Sequence, residues 1–383
     1  MASRSQKLVG GAIGMAVVAA TVVALVRSSP HPASAATPVA APFHEPEVAA
    51  TLGAGPVAAL RLAQTSAASR SFRSPTGSHV ATVDNGTLNI DGSEVATAVG
   101  AVAWASDGSA VFFTAAPPLS APMTPEPLYV VRPGSGAPQR LGVSADPWRL
   151  SVTGASSVAF DDGGVLAIGN ALGNTVVKTA IALNPVSSGQ QPPAYPFSDT
   201  VFVASPNEQY VAVAGASNRV TMYHLANGSI PAGAVIPATG TALPGTIGGN
   251  RDEWGAWNQN STEFLYSVDT SSQAPRLELW SSATSSVTEL AGALAPNSRG
   301  QYLILGWLNR APTDFLLNLV PPAPSQAGAY VVGNTQGQIV QTLWHNGFGG
   351  VLNADQTEVT FEASPDYGAA PELWTATISW GVR

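Results

Sequence analysis

One phrase recurs along this chain and sets what it can fold into: an apolar or aromatic residue, a short polar turn, then an alternating strand. It reads Trp104-Ala-Ser-Asp-Gly-Ser-Ala-Val-Phe-Phe113 in one copy and Trp257-Asn-Gln-Asn-Ser-Thr-Glu-Phe-Leu-Tyr266 in another. Looser copies begin near Phe72, Phe160, Val203, Trp307 and Leu352. Short runs of Val, Ile, Leu and aromatics lie between turn formers, the composition of strands. After residue 56 no stretch keeps a 3.6-residue apolar period over the length of a helix. A small unit of this kind cannot bury its apolar face alone, so the copies must stack.

Aligning the copies on Asp107-Gly108 places Thr76-Gly77, Asp162-Gly163, Pro206-Asn207, Asn260-Ser261, Arg310-Ala311 and Asp355-Gln356 at the same turn. The steps are 31, 55, 44, 54, 50 and 45 residues, a mean of (355 − 76)/6 = 46.5. Propeller blades of four short strands run about 40–50 residues. The expectation is an all-β domain over 56–383, a single β-propeller of about seven four-stranded blades; six or eight also fit the weaker copies. The second unit predicts strands over 102–104, 110–114, 128–132 and 139–142. The fifth repeats the grammar over 255–257, 264–268, 277–280 and 287–290. The last unit offers 350–352, 358–362 and 373–378, with no fourth strand. Unpaired sheet edges invite aggregation. The spare strand-like segment 57–63 is therefore expected to complete the last blade and close the ring.

The phrase 104–113, followed by Leu128-Tyr129-Val130-Val131, resembles the repeat of TolB-like, WD-repeat-like propellers, and Ser205-Pro206-Asn207-Glu-Gln-Tyr-Val-Ala-Val213 is similar. The resemblance spans roughly residues 60–380 and is clear in three or four units. It implies an exported propeller that binds other proteins or ligands, and it brings no catalytic motif to transfer. The chain lacks the tandem Asp-box of sialidases and the hydrolase domain fused to prolyl-oligopeptidase-type propellers.

The N-terminus predicts where the domain works. Residues 1–7, with Arg4 and Lys7, precede 8–26, which carries no charge; Arg27 closes the run. Nineteen residues at about 1.5 Å each make roughly 28 Å of helix, close to the thickness of a bilayer's hydrocarbon. Leading positive charge predicts residues 1–7 in the cytoplasm, a single-pass transmembrane anchor or uncleaved signal over 8–26, and an extracytoplasmic C-terminal domain. Ala33-Ser34-Ala35 also resembles a peptidase site, and cleavage after Ala35 would give a secreted protein. Residues 28–55, with Pro30, Pro32, Pro38, Pro42 and Pro46, read as an extended tether.

Charge narrows the partners. Without Arg4, Lys7 and Arg27, the exported part carries 16 − 3 = 13 basic against 24 acidic residues, net −11. Such a surface repels phosphate backbones, so no nucleic acid is expected as a partner, and the membrane is met only through the N-terminal helix. Protein, peptide or envelope polymer remain. There is no cysteine, which removes disulfides, thiolate metal sites and a cysteine nucleophile.

No catalytic residue, metal site or cofactor is predicted. His79, His224 and His345 fall in different units without ligand spacing, and no nucleophile elbow, His-Glu-x-x-His helix or phosphate loop occurs. The stretch 84–92 reads as a hairpin turn at Asn85-Gly86 before it reads as a calcium loop. Trp104, Trp257 and Trp307 share one repeat position and read as packing between blades. Candidate binding residues lie in loops. Arg251, Asp252 and Trp254 belong to the polar patch 248–254 at the expected central mouth, residue types that include those enriched at hot spots. Long links between second and third strands cover 115–127, 320–328 and 364–371; Pro118 and Met123 lie in the first and Tyr367 in the last. Insertions at one repeat position project from one face, where binding occurs. The leading expectation is a binding or scaffold module; the alternative is a propeller-type hydrolase, lactonase-like or glycan-active, with carboxylates at the central channel.

Overall fold

The computed structural model describes residues 48–49, 55–65, 69–115, 126–143, 150–154, 156–173, 176–183, 200–215, 218–226, 235–247, 253–270, 273–290, 294, 300–320, 328–345, 347–353, 356–363 and 372–381. All fall in the compact unit Phe43–Arg383. The predicted cytoplasmic residues 1–7, the span 8–26 and most of the tether lie outside the described residues. Among those described there is no α-helix, and hence no helix long and apolar enough to cross a membrane.

Consecutive strands pair antiparallel into meanders of four. The first is Ser69–Arg73, Val80–Asp84, Thr87–Ile90 and Ser93–Ala96; the second is Val99–Trp104, Val111–Ala115, Pro127–Val131 and Gln139–Val143. Ser151–Val152, Ser157–Asp161, Val165–Asn170 and Val176–Ala182 continue the run. They are joined to the second meander by the single pair Val143↔Asp161 and extended by the parallel strand Val235–Ile236. Next come Val201–Ala204, Tyr210–Ala214, Arg219–Leu225 and Ala238–Thr246, then Gly255–Trp257, Glu263–Thr270, Gln273–Ser281 and Ser286–Glu289. Gln301–Leu308, Ala311–Val320, Ala329–Asn334 and Ile339–His345 follow. The first strands are neighbours from sheet to sheet: Val201–Ala204 lies against Gly255–Trp257, that against Gln301–Leu308, and that against Phe348–Leu352. First strands inward and local meanders outward make a β-propeller.

The closing strand falls where the sequence places it. Phe348–Leu352, Glu358–Ala363 and Glu372–Trp380 are completed by Val57–Thr65, in register from Val57↔Trp380 to Thr65↔Leu373. Val48–Ala49 then pairs with the far edge of that strand. Leu60 and Leu62 enter a core with Trp374, Ala376 and Ile378 from their own sheet and Leu316, Tyr330 and Val332 from the one before. Gln341 clamps the joint: its Oε1 accepts from Val57 N–H at 3.0 Å and its Nε2 donates to Val57 O at 2.9 Å.

Each apolar cluster is a seam between two consecutive sheets, as in the cluster of Val83, Leu88, Trp104 and Phe113 or that of Leu265, Leu277, Tyr302 and Phe315. The repeated tryptophans sew these seams. The indole N–H groups of Trp104, Trp257 and Trp307 donate to Phe72 O, Val203 O and Ala256 O at 2.8, 3.0 and 2.9 Å. Each acceptor lies on the first strand of the preceding sheet, so these residues pack between blades as expected.

The repeated turn has a backbone signature: a left-handed residue at Gly77, Gly108, Ser156, Glu208, Ser261 and Gln356. The N–H of Gly108, for example, returns to Ala105 O at 2.8 Å, and that of Ser261 to Asn258 O at 3.0 Å. In the third unit this corrects the alignment. The recurring turn is at 153–156, while Asp162-Gly163 joins the second strand to the third, and Phe160 lies in the second strand. An Asp-Gly-Gly run is the stronger turn former, so it captured the alignment from the weaker Thr153-Gly154 turn. Asn85-Gly86 is a hairpin turn, with both residues left-handed.

The clamp at Val57 is testable. Gln341→Leu strands both polar groups of Val57 and is expected to cost about 1–3 kcal/mol per group left unpaired. Leu60→Ala is expected to cost about 2–5 kcal/mol. Thermal melting of the full chain should show both as lowered midpoints.

Candidate binding site

Strands in a meander alternate in direction. The links from second to third strand therefore leave the sheets at one end, together with the links to the next sheet, and the repeated turns lie at the other end. The described residues that flank the links 115–127, 320–328 and 364–371, and Glu253 and Trp254, lie at the first end. Arg251, Asp252, Pro118, Met123 and Tyr367 lie outside the described residues. Trp254 is described, and it corrects the expectation of a surface anchor. It is 1% exposed and meets Phe264 edge-on at 5.4 Å. Its ring lies in the seam with Trp257, Phe264 and Tyr266, where burial outweighs any surface role.

At that same end the structure builds a ridge at Gly347–Val351, the start of the last sheet's innermost strand. Gly349 has φ 63° and Gly350 φ 144°, and the register with the neighbouring strand slips between Phe348 and Val351. Three side chains from preceding sheets hold this kink. Asn318 Oδ1 accepts from Gly349 N–H at 3.2 Å, and its Nδ2 donates to Gly347 O at 3.3 Å. The Tyr330 hydroxyl donates to Gly349 O at 2.7 Å. Glu253 Oε1 accepts from Gly350 N–H at 2.6 Å. A Cβ on Gly347 would sit 2.7 Å from the Phe361 ring and 2.8 Å from Tyr330; one on Gly349 would sit 2.9 Å from Glu253 Oε1. Tyr330 itself is stacked on Trp344 with ring centroids 4.1 Å apart. Burial holds its hydroxyl proton well above the ordinary range, with Glu253 and Glu362 adding to it.

Phe348 is the first residue of this kinked strand. It is 47% exposed and Val351 56%, against Tyr330 and Phe361 fully buried beneath them. Sequence reasoning passed over Phe348 and Glu362, and within the patch 248–254 it did not single out Glu253. The available signal was Gly347-Phe-Gly-Gly350, glycines inside a strand-like run, which mark a bulge or a close backbone approach.

Other polar groups serve the fold or stand apart. Tyr266 hydroxyl donates to Glu278 Oε2 at 2.5 Å and Arg276 Nε to Glu278 Oε1 at 2.7 Å, a network that satisfies a carboxylate 3% exposed. At the first end, Glu126 Oε2 is buried near Thr114, and burial pushes its pKa up against the lowering effect of the Thr114 hydroxyl. Gly100 makes room for it: a Cβ there would stand 2.8 Å from that oxygen and 2.7 Å from Thr114 Oγ1. At the opposite end a shallow depression of about 340 Å³ is lined by His79, Ser109 and Arg132. His79 Nδ1 lies 2.6 Å from Asp91 Oδ2, and His224 packs on Tyr210 at 5.0 Å. Among the described residues no three His, Asp or Glu side chains gather as a metal site would require.

Two consequences are measurable. Gly349→Ala is expected to cost about 1–2 kcal/mol in backbone strain, with the Glu253 contact on top. Gly92→Ala, also left-handed but with open space around it, isolates the strain alone, so melting should fall further for Gly349→Ala. Glu126 has a folded-state pKa above its ordinary 4.5, so the folded chain holds this proton more tightly than the unfolded one. Its contribution to stability is present below about pH 4.5 and is lost as pH rises through the folded value. Glu126→Gln should therefore raise the melting temperature at neutral pH, with the gain shrinking toward pH 4.5.

No protein-family model and no curated protein matches the chain. Among solved structures it is similar to TolB from Acinetobacter baumannii, at 11% identity over 72% of this chain and 63% of TolB, with a TM-score of 0.38. The C-terminal WD40 domain of Sif2 is similar at 12% identity over 84% of this chain and 82% of that domain, TM-score 0.44. The tricorn protease matches at 12% identity over 82% of this chain, TM-score 0.46, and the chain spans 34% of its length. The chain thus spans under two thirds of TolB and about a third of the tricorn protease. Such likenesses concern the fold alone; the propeller assignment stands on the strand order and the repeated turn.

Proposed function

We propose that the chain is an exported, membrane-tethered propeller of seven blades that binds a protein, peptide or envelope polymer on the end carrying its long links. One observation carries this reading: the ridge at Gly347–Val351. Four large hydrophobics are strongly exposed among the described residues, and two of them, Phe348 and Val351, sit together on this ridge. Exposing an aromatic costs the burial free energy it would gain elsewhere, on the order of 1.5–3 kcal/mol. Here Asn318 and Tyr330 of the preceding sheet, and Glu253 from beside the sheet before that, hold the backbone of this strand. A rigid aromatic anchor loses little entropy on docking, the property of interface hot spots.

Export and tethering rest on the arrangement of charge and apolar residues over 1–27, and the exclusion of nucleic acid on the net −11 beyond it. The proline-rich links at the same end support a binding face, because proline limits the freedom a loop loses when it docks. A hydrolase would need several acidic or histidine side chains around one pocket within hydrogen-bonding reach; the Phe348 ridge favours recognition instead. The full-length chain, used as bait in an extract of the producing cell's envelope, should recover partners that a variant lacking 116–126 recovers poorly. Equal recovery by both chains would remove this face from the binding role.

A further inference from the structure

The depression at the end opposite the long links lies where the first two sheets meet. Its volume is about 340 Å³, and His79 of the first sheet lines it together with Ser109, Arg132, Gly134 and Ser135 of the second. Ligand pockets begin at about 300 Å³, so a small group fits. His79 is fixed on two sides. Its Nδ1 lies 2.6 Å from Asp91 Oδ2 and its ring stacks on Trp104 at 6.2 Å, which leaves Nε2 as the second polar atom of the ring. The opposing wall is the turn Arg132-Pro133-Gly134-Ser135. Ser135 N–H returns to Arg132 O at 3.0 Å, and Gly134 has φ 69° directly after proline, the signature of a type II turn. The Ser135 hydroxyl accepts from Arg132 N–H at 3.1 Å and donates to Arg132 O at 2.7 Å, which ties the turn closed. Among the described residues nothing accepts from Gly134 N–H, and the space beside its Cα is open. Arg132 is exposed and forms no ion pair among the described residues.

We propose that this depression binds a carboxylate, held by the Arg132 guanidinium and the Gly134 N–H beside the His79 ring. A guanidinium meets a carboxylate through two parallel hydrogen bonds, a match of planar groups. Two acidic side chains bear on the choice of anion. Asp91 is bonded to His79 and to Val80 N–H, and Asp107 accepts from Ser109 N–H at 2.8 Å. Their charge opposes a dianionic phosphate twice as strongly as a singly charged carboxylate. The carboxylate comes from a free organic acid or from the end of a peptide. The site lies away from the face carrying the long links, so its failure leaves the binding-module reading untouched.

The test is isothermal titration calorimetry of the full-length chain with four probes: acetate, acetyl-Ala-Ala with a free C-terminal carboxylate, the C-terminal amide of that dipeptide, and inorganic phosphate. The dipeptide acid should bind, and its amide at least about tenfold more weakly. Phosphate should also bind more weakly than the acid. Arg132→Gln should weaken the acid at least about tenfold, and Arg132→Lys, which keeps the charge and loses the fork, roughly threefold. Arg140→Gln removes the same charge from an exposed position outside the depression and should leave binding unchanged. Unchanged melting temperatures would show that the variants are folded. Wild-type binding by Arg132→Gln, or equal weakening by Arg132→Gln and Arg140→Gln, would overturn the depression as the site. Equal binding of acid and amide would overturn the carboxylate, as would phosphate binding more tightly than the acid. Acetate binding as tightly as the dipeptide acid would support a free acid as the source, and tighter binding of the dipeptide a peptide end. If neither acetate nor the dipeptide acid binds, the inference falls.

Discussion

The fold depends on one ladder that the rest of the chain cannot supply locally. Most strands find their partners within their own meander, a few residues away. Val57–Thr65 instead pairs with Glu372–Trp380, from Val57 to Trp380, a separation of 380 − 57 = 323 residues. Without it the last sheet would present a bare edge, and its neighbour would lose Leu60 and Leu62 from their shared seam. Gln341 ties the same strand to the preceding sheet by two hydrogen bonds, so closure joins blades as well as strands.

Between other sheets side chains add connections to the few backbone ones, such as the pair Val143↔Asp161. Indole N–H groups cross the seams at Trp104, Trp257 and Trp307, each reaching the first strand of the sheet before it. This accounts for the position of tryptophan in the repeated phrase. The ring is wide enough to pack on the next sheet, and its one polar atom must find a partner when buried. The same tryptophan-rich phrase therefore marks where sheets meet, and the functional end must be sought where the phrase is silent.

Much of the architecture was legible in the residues because it is local. Alternation, turn formers and the repeat of Trp104 and Trp257 read directly as strands and seams. The missing fourth strand of the last unit pointed to 57–63. Two features escaped for physical reasons. In the third unit the Asp162-Gly163-Gly164 turn outweighs the true repeat turn at 153–156, because turn strength and turn equivalence are different properties. Trp254 lay in a polar stretch and read as a surface anchor, yet its neighbours in space are Phe264 and the seam. The ridge was hidden for a third reason. Its holding contact joins Glu253 to Gly350 across 97 residues, and no local pattern announces that a carboxylate will meet a distant backbone N–H.

The closing strand also sets an order of events. Residue 57 leaves the ribosome more than 300 residues before residue 380, so the strand that completes the last sheet is made first and its partner long afterwards. At synthesis rates of about 5–20 residues per second, the delay is roughly 15–65 seconds. During that interval the edge of Val57–Thr65 has no native ladder partner, while the meanders from Ser69 onward can form as they emerge. Val48–Ala49, which pairs with the far edge of this strand at Leu60 and Arg61, is synthesised beside it and can cover one of its two edges from the start. An early local hairpin of this kind would leave the waiting strand half shielded, with its remaining edge reserved for Glu372–Trp380.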